Sequence, residues 1–273
     1  MNIFMYVIRE LEDALDDCKI GCMQCNDDPV HAWDEGVAFY TGSLEGQTGE
    51  GSGNLLYALA DKRCENYGTC GTHGIESQGT SKVNYDIFKE FAAGQFNLNI
   101  GNCEGARVNK EKIAELMAIP LIQGTLRYAY KVDILSGQEK EKAEGAVFAA
   151  AVLPKLHACN KADATTVYDN MGVGAGSTDF AKVKKAFERN YKCLGVTCAD
   201  VGGLLNGEEY YEGASPCKDS STSSSSNTLA IALGSVAGGV AVLAIGSILY
   251  MRSRERQGAP VFAPAKESSV NMN

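Results

Sequence analysis

The sequence predicts an all-α fold: a disulfide-stapled helical bundle followed by one C-terminal transmembrane helix. Three observations lead to this prediction. Apolar residues recur at spacings of three and four along most of the chain, which is typical of amphipathic helices, and alternating strand patterns are scarce. The ten cysteines all lie at or before Cys217. The stretch from Thr228 to Met251 contains no charged residue.

Eight helices are expected in the part of the chain before the uncharged stretch. Glycine-rich or cysteine-rich connections separate them, and about 200 residues suit a single domain, which we place at residues 1–217. Proline fixes φ and lacks an N–H group, so Pro120 and Pro154 should start or kink helices. The expected helices cover residues 2–18, 29–45, 53–66, 81–98, 108–136, 138–159, 162–171 and 178–193.

The cysteines predict a disulfide framework. An even count on one side of a membrane segment is typical of an oxidising compartment. Cys18, Cys22 and Cys25 have a spacing that radical enzymes use for an iron–sulfur cluster, but seven other cysteines are available as disulfide partners. We therefore interpret this segment as a short hairpin staple.

Two disulfide pairs are expected from closeness in sequence. Cys64 lies near Cys70, and Cys193 lies near Cys198, each pair at the end of a predicted helix. A turn at these positions can bring the two Cα atoms within the ~4.4–6.8 Å that a disulfide needs.

The C-terminal region is typical of a single-pass plasma-membrane protein. Residues 218–227 are rich in serine and predict a flexible stalk, and residues 228–251 are long enough to cross a bilayer. Three arginines follow closely, which marks residues 252–273 as a cytoplasmic tail: Arg252, Arg254 and Arg256. A removable lipid-anchor signal would end in the hydrophobic run, so the charged tail excludes it. The N-terminal domain is then extracellular.

Gly234 and Gly238 form a small-xxx-small pair in the expected span. Such a pair supports helix pairing and makes these residues candidates for a homodimer contact. Glycine is common in membrane helices, so the pair having no role is an equal alternative.

The N-terminus is a poor signal peptide, because it has no basic region and Arg9 and Glu10 follow the apolar start at once. We expect that upstream sequence precedes it. The alternative is that the membrane span acts as its own export signal.

Charge and histidine content exclude some classes of function. The formal net charge is −9, which opposes nucleic-acid binding and suits cations. With only 3 histidines, no nucleophilic triad is evident, so we expect a protein without enzymatic activity.

The stretch from His31 to Gly46 carries the strongest local pattern. On a helix, one side is a core stripe and the opposite side carries one imidazole and three carboxylates beside small residues. The core stripe consists of Trp33, Val37, Tyr40 and Leu44, and the polar face of His31, Asp34, Glu35 and Glu45. Spacings of three and four let side chains share a metal, although a solvated acidic face has the same pattern.

A second polar stripe lies between Pro120 and Asp133. Gln123, Arg127 and Tyr130 share one side of the predicted helix. A guanidinium matches planar oxyanions in bidentate fashion, so this stripe can hold an anion beside a metal. An equal alternative is that Arg127 forms a salt bridge with an acidic residue about one helical turn away and that Tyr130 is simply buried.

The chain resembles the low-iron-inducible periplasmic proteins of algae, a family that includes the diatom phytotransferrins. The resemblance rests on His31 to Gly46, on Ile119 to Asp133 and on Phe187 to Gly203, and it covers most of residues 10–210. It implies an extracellular protein for high-affinity ferric iron acquisition, in which Fe³⁺ is held together with carbonate and taken in by endocytosis. The C-terminal span matches the membrane-anchored branch.

The two polar stripes together predict a ferric site. We expect His31, Asp34, Glu35 and Tyr130 to bind Fe³⁺, because it prefers oxygen ligands and accepts imidazole, and Arg127 with Gln123 to hold carbonate. Two alternatives stay open: a metal-free cell-surface adhesion or receptor domain, and a metal-dependent ectoenzyme.

Overall fold

A computed structural model describes residues 2–22, 28–42, 53–71 and 81–218. These residues are mostly helical, with one short antiparallel strand pair. The elements are α1 (Asn2–Ile20), α2 (Pro29–Thr41), α3 (Leu56–Tyr67), α4 (Lys82–Asn99), α5 (Cys103–Leu116), α6 (Ala118–Asp133), α7 (Glu139–Cys159), α8 (Lys161–Met171), α9 (Phe180–Glu188), α10 (Tyr191–Leu194), α11 (Cys198–Val201), β1 (Leu205–Asn206) and β2 (Glu209–Tyr210).

Helix α6 is the centre of the core. All its residues from Ala118 to Leu126 are buried, and it packs against α3, α7 and α9. The outer helices pair along the chain: α1 packs against α2, α4 against α5, and α7 against α8. A helix that is apolar on most sides must be enclosed by others, so α6 has to lie inside the bundle.

Helix α2 has clear start and stop signals. The Asp28 side chain accepts hydrogen bonds from the backbone N–H groups of Val30 and His31, and Pro29 occupies the first helical position. Gly42 ends the helix with a φ of 74°, a conformation that glycine adopts readily. These signals confirm the predicted start of α2.

Two predicted helices are each divided in the structure. Residues 108–136 belong to α5 and α6, which Met117 separates, and residues 178–193 contain α9 and the start of α10. Pro120 lies in the first turn of α6, where its missing N–H group costs no hydrogen bond, as expected. Pro154 lies inside α7 and does not start a helix.

The strand pair corrects the all-α prediction slightly. Leu205 pairs with Tyr210, and Asn206 pairs with Glu209, in an antiparallel hairpin after α11. Two residues per strand are too few to show the alternation by which a strand is recognised in sequence.

Four disulfides join cysteines that both lie in the described residues. They link Cys18 with Cys103, Cys64 with Cys70, Cys159 with Cys193, and Cys198 with Cys217. The predicted Cys64–Cys70 pair is confirmed, with a Cα–Cα distance of 4.7 Å.

The predicted Cys193–Cys198 pair is wrong. Cys193 in α10 bonds to Cys159 at the end of α7, because α10 packs on that helix. Cys198 begins α11 and bonds to Cys217. Short separation in sequence was therefore outweighed by the packing of the helix ends.

The hairpin interpretation of the first cysteines is wrong for Cys18. This residue connects α1 to Cys103 at the start of α5, across a sequence separation of 85 residues. Cys22 also forms a disulfide, and Cys25 lies outside the described residues.

The predicted stalk, membrane span and tail lie outside the described residues from position 219 onward, and with them Gly234 and Gly238. Among the described helices, none has the length and apolar character needed to span a bilayer.

Candidate functional site

Two residues of the predicted core stripe of α2 are confirmed as buried, Trp33 and Tyr40, whereas Val37 is half-buried. Trp33 and Tyr40 are fully buried, and each is held by a polar contact with α4. The Trp33 indole Nε1 donates to the carbonyl of Phe91 at 3.0 Å, and the Tyr40 hydroxyl donates to Oδ1 of Asn84 at 2.6 Å. These contacts fix the rotation of α2 about its axis and therefore the direction of its polar face.

That polar face carries His31, Asp34 and Glu35. The His31 Nε2 atom lies 3.5 Å from Glu35 Oε1, and both side chains are more than half exposed, at 62% and 52%. Asp34 Oδ1 accepts a hydrogen bond from Gln95 Nε2 of α4 at 2.9 Å. Leu44 and Glu45, which the sequence assigned to the same helix, lie outside the described residues.

Two carboxyl groups near this face have raised pKa values. Burial raises the pKa of Asp34 in spite of the hydrogen bond from Gln95. Burial also raises the pKa of Glu10 in α1, and the charge of Glu35 adds to this effect. The acidic surface therefore extends from α2 onto α1, which helix periodicity alone did not reveal because it does not say which helices are neighbours.

Across the described ranges, no group of three or more histidine, cysteine, aspartate or glutamate side chains is arranged to hold a metal ion. The structure brings His31 and Glu35 together, whereas the carboxylate of Asp34 is turned towards Gln95.

Tyr130 lies in the interior, among elements that follow α6 in the chain. Its ring contacts Phe180 edge-on and Tyr211 at a tilt, with both ring centroids 4.9 Å away. Burial raises the pKa of Tyr130, and Tyr211 and Glu212 raise it further. The ring contacts of Tyr130 thus lie with α9 and the C-terminal hairpin, and none of them is to α2.

Gln123 is buried and serves the packing of α6. Its Nε2 atom donates to Thr69 Oγ1 at 3.2 Å and to the carbonyl of Val201 at 2.9 Å. Both amide hydrogens are therefore engaged, which leaves none for an anion. The structure gives Gln123 a connecting role between α6, α11 and the segment after α3 in place of the predicted anion contact.

The charge of Arg127 acts on a second arginine that was not predicted from the sequence, Arg63 of α3, a helix that packs on α6. Arg63 is only 8% exposed and its Nε atom has no hydrogen-bond partner. Burial lowers the pKa of Arg63, and the nearby charge of Arg127 lowers it further. Among the described residues, neither guanidinium forms an ion pair with a carboxylate.

Tyr128 and Glu144 border the arginine pair. The Tyr128 hydroxyl interacts with the Arg63 guanidinium and with the Glu144 carboxylate. Burial, followed by the hydrogen bond to Glu144, raises the pKa of Tyr128. The Tyr128 ring also stacks on Phe148, with centroids 5.6 Å apart, and the Arg127 guanidinium lies 5.4 Å from its centre.

A sequence signal for Arg63 does exist. Leu56, Ala60 and Tyr67 are buried on one stripe of α3, and Arg63 falls on this stripe at the same spacing of three and four. A charged residue within an apolar stripe is a candidate for a special role, because burying an unpaired charge is costly.

Comparison with known proteins gives one result. A family model described as Fea1, low iron-inducible periplasmic protein, matches residues 2–222. No curated protein and no solved structure matches the chain.

Proposed function

Because the chain belongs to the family of low iron-inducible periplasmic proteins, we propose that it binds ferric iron at the cell surface for uptake, with carbonate as a synergistic anion. The family match is the observation that carries this proposal. An acidic chain with a net charge of −9 and a disulfide framework suits a cation-binding protein of an oxidising compartment. The role proposed is binding and delivery, without catalysis.

The polar face of α2 is the proposed origin of the iron ligands. Fe³⁺ is a hard cation that prefers carboxylate oxygen and accepts imidazole, and His31, Asp34 and Glu35 supply both. The raised pKa of Asp34 supports this assignment, because burial disfavours the ionised carboxylate. A bound cation would favour the ionised form and so compensate for this effect. Tyr130 stays a proposed phenolate ligand, although its burial opposes the charged form.

Arg127 is the proposed anion ligand. It is half-buried on α6 and, within the described part of the chain, has no carboxylate partner. A guanidinium that is free of carboxylates can offer two parallel N–H groups to carbonate.

Membrane anchoring belongs to the same proposal. Residues 228–251 are proposed to span the plasma membrane, with the iron-binding domain outside and residues 252–273 inside, and Gly234 with Gly238 to support a homodimer. Protease added to intact cells should spare a tail epitope. Digestion of the tail without permeabilisation would refute this orientation.

The decisive experiment is a ferric titration of the purified protein with and without bicarbonate. We expect Asp34→Asn and Glu35→Gln to weaken iron binding in both conditions, because each removes a carboxylate. Arg127→Gln should weaken iron binding only with bicarbonate present, because it removes the anion contact. Arg107→Gln, which removes an equal charge at the Glu104 pair, is the matched control and should behave as wild type. If the wild-type protein binds ferric iron equally tightly with and without bicarbonate, carbonate is not a synergistic anion for this protein.

The tyrosine ligand has its own optical test. A tyrosinate–iron complex absorbs visible light, so the loaded wild-type protein should be coloured and Tyr130→Phe should lose the band. Colour that persists in Tyr130→Phe would exclude Tyr130 as the phenolate ligand.

A further inference from the structure

A groove between the start of α1, the second half of α5 and the end of α7 contains a lysine that the proposed function does not use. The groove has a volume of about 490 Å³, and α10 borders one end of it. Lys155 of α7 lies in this groove and is half-buried. The walls around the lysine are mainly apolar and consist of Phe4, Ile8, Ala114, Ala158, Leu194 and the Cys159–Cys193 disulfide.

The amine of Lys155 is held against the wall of the groove. Its Nζ atom donates a hydrogen bond to the backbone carbonyl of Ala114 and lies 5.5 Å from the centre of the Phe4 ring. In the described ranges, no carboxylate lies within ion-pair distance of this atom. Removing a charge from water without a charged partner is unfavourable, so these surroundings disfavour the ammonium form.

Two of the three other charged groups that line the groove already have partners, and all three belong to α5. Lys110 pairs with Glu12 of α1. Glu115 pairs with Lys112 of its own helix. The third group, Glu111, is exposed to solvent. Apart from the lysine itself, the described residues of α1, α7 and α10 that line the groove are uncharged.

These surroundings make the neutral amine of Lys155 accessible near neutral pH. Burial lowers the pKa of Lys155 to about 8, although the charge of Glu115 raises it. An exposed lysine has a pKa of about 10.4, so at pH 7 a much larger fraction of Lys155 is neutral. Only the neutral amine has a lone pair, and a lysine desolvated in an apolar pocket is an activated nucleophile for carbonyl compounds.

We propose that Lys155 and the groove around it form a covalent, reversible binding site for a small apolar aldehyde. The Nζ lone pair attacks the carbonyl carbon and forms the C–N bond. The carbonyl oxygen then leaves as water with the two amine protons, and a C=N double bond remains. The step needs no oxidant or reductant, and hydrolysis reverses it. The apolar walls favour an apolar substituent on the aldehyde.

The test is reductive labelling of the purified full-length protein at pH 7. Benzaldehyde is the probe, sodium cyanoborohydride converts its imine into a stable secondary amine, and mass spectrometry of chymotryptic peptides gives the labelling rate of each lysine. Lys155 should be labelled at least about tenfold faster than Lys161, an exposed lysine at the start of α8. The ratio should fall as pH is raised to 9, because the neutral fraction of Lys161 then rises more steeply than that of Lys155.

Two variants of α7 test the role of the groove. Ala158→Phe places a ring in the groove from an exposed position and should slow the labelling of Lys155. Ala150→Phe, at an exposed position outside the groove, is the matched control and should be labelled as wild type. Glycolaldehyde, a small polar aldehyde, should show a smaller preference for Lys155 than benzaldehyde does. In guanidinium chloride that unfolds the protein, the preference should disappear.

Four results would overturn the proposal. The first is that benzaldehyde labels Lys155 no faster than Lys161 at pH 7. The second is a preference that persists in the unfolded protein, and the third is a preference that Ala158→Phe leaves unchanged. The fourth is an equal preference with glycolaldehyde, which would exclude selection by the apolar walls. No metal takes part in the labelling, so the outcome is independent of iron binding.

Discussion

Gly94 of α4 lies directly against the indole ring of Trp33 of α2: a Cβ atom at Gly94 would fall 2.0 Å from Cζ2 of Trp33. The next residues along each helix are also in contact, since Gln95 donates to Asp34 at 2.9 Å. The close approach of the two helices at glycine therefore determines where the polar face of α2 is presented.

Gly94→Ala should destabilise the fold by about 1–3 kcal/mol, because a new methyl group must displace a fully buried ring. The measurement is urea unfolding followed by tryptophan fluorescence, which reports on the surroundings of Trp33 because the chain has 1 tryptophan. Ala92→Ser, at an exposed position of α4, is the control and should stay near wild type. Equal stability of Gly94→Ala and the control would contradict the close contact.

Asp34→Asn should stabilise the metal-free protein at neutral pH while it weakens iron binding. The folded-state pKa of Asp34 is raised, so the stability associated with its neutral form is present below the unfolded pKa and is lost as pH rises through the folded pKa. The amide of the variant carries no charge, so the variant does not lose this stability as pH rises. The amide oxygen can still accept a hydrogen bond from Gln95. Unfolding at pH 7 and at pH 3 should show a gain only at pH 7. Asp169→Asn, at an exposed position, is the control and should have the same stability as the wild type at both pH values. A loss of stability for Asp34→Asn at pH 7 would contradict the prediction.

Asp163→Asn should destabilise the protein by about 1.5–3 kcal/mol at pH 7, since it removes the charge from a buried carboxylate that accepts hydrogen bonds from a half-exposed arginine and from Asn190. Asp163 accepts from Arg189 and, at 2.7 Å, from Asn190, and the Arg189 hydrogen bond lowers the pKa of Asp163. A depressed folded pKa contributes stability that is present above the unfolded pKa and is lost as pH falls through the folded value. The wild type should therefore approach the variant in stability below about pH 4. A constant difference between them from pH 7 to pH 2 would argue against this ion pair.

Removing the Cys18–Cys103 disulfide should cost more stability than removing Cys64–Cys70. The chain-entropy relation predicts about 4–5 kcal/mol for the first pair and about 2 kcal/mol for the second, because the sequence separations are 85 and 6 residues. Double alanine variants of each pair, compared by urea unfolding under oxidising conditions, measure the difference. Equal losses would show that strain or residual structure, not loop length, dominates.

What the sequence determined by itself is mainly local. The division of α2 into a buried Trp33–Tyr40 stripe and an exposed face with His31 and Glu35 follows from helix periodicity. The Cys64–Cys70 disulfide follows from a short turn, and family membership from the motifs shared over most of the chain. In the first two cases the residues that interact are neighbours along the chain or along one helix.

The tertiary structure decided which residues from distant parts of the chain meet. Cys193 pairs with Cys159 because α10 packs on α7. The side-chain amide of Gln123 donates hydrogen bonds to Thr69 and to the carbonyl of Val201. The charge of Arg127 reaches Arg63 because α3 packs on α6. Helical periodicity shows which side of a helix is buried but not against which partner, so contacts between helices depend on the packing of the whole core.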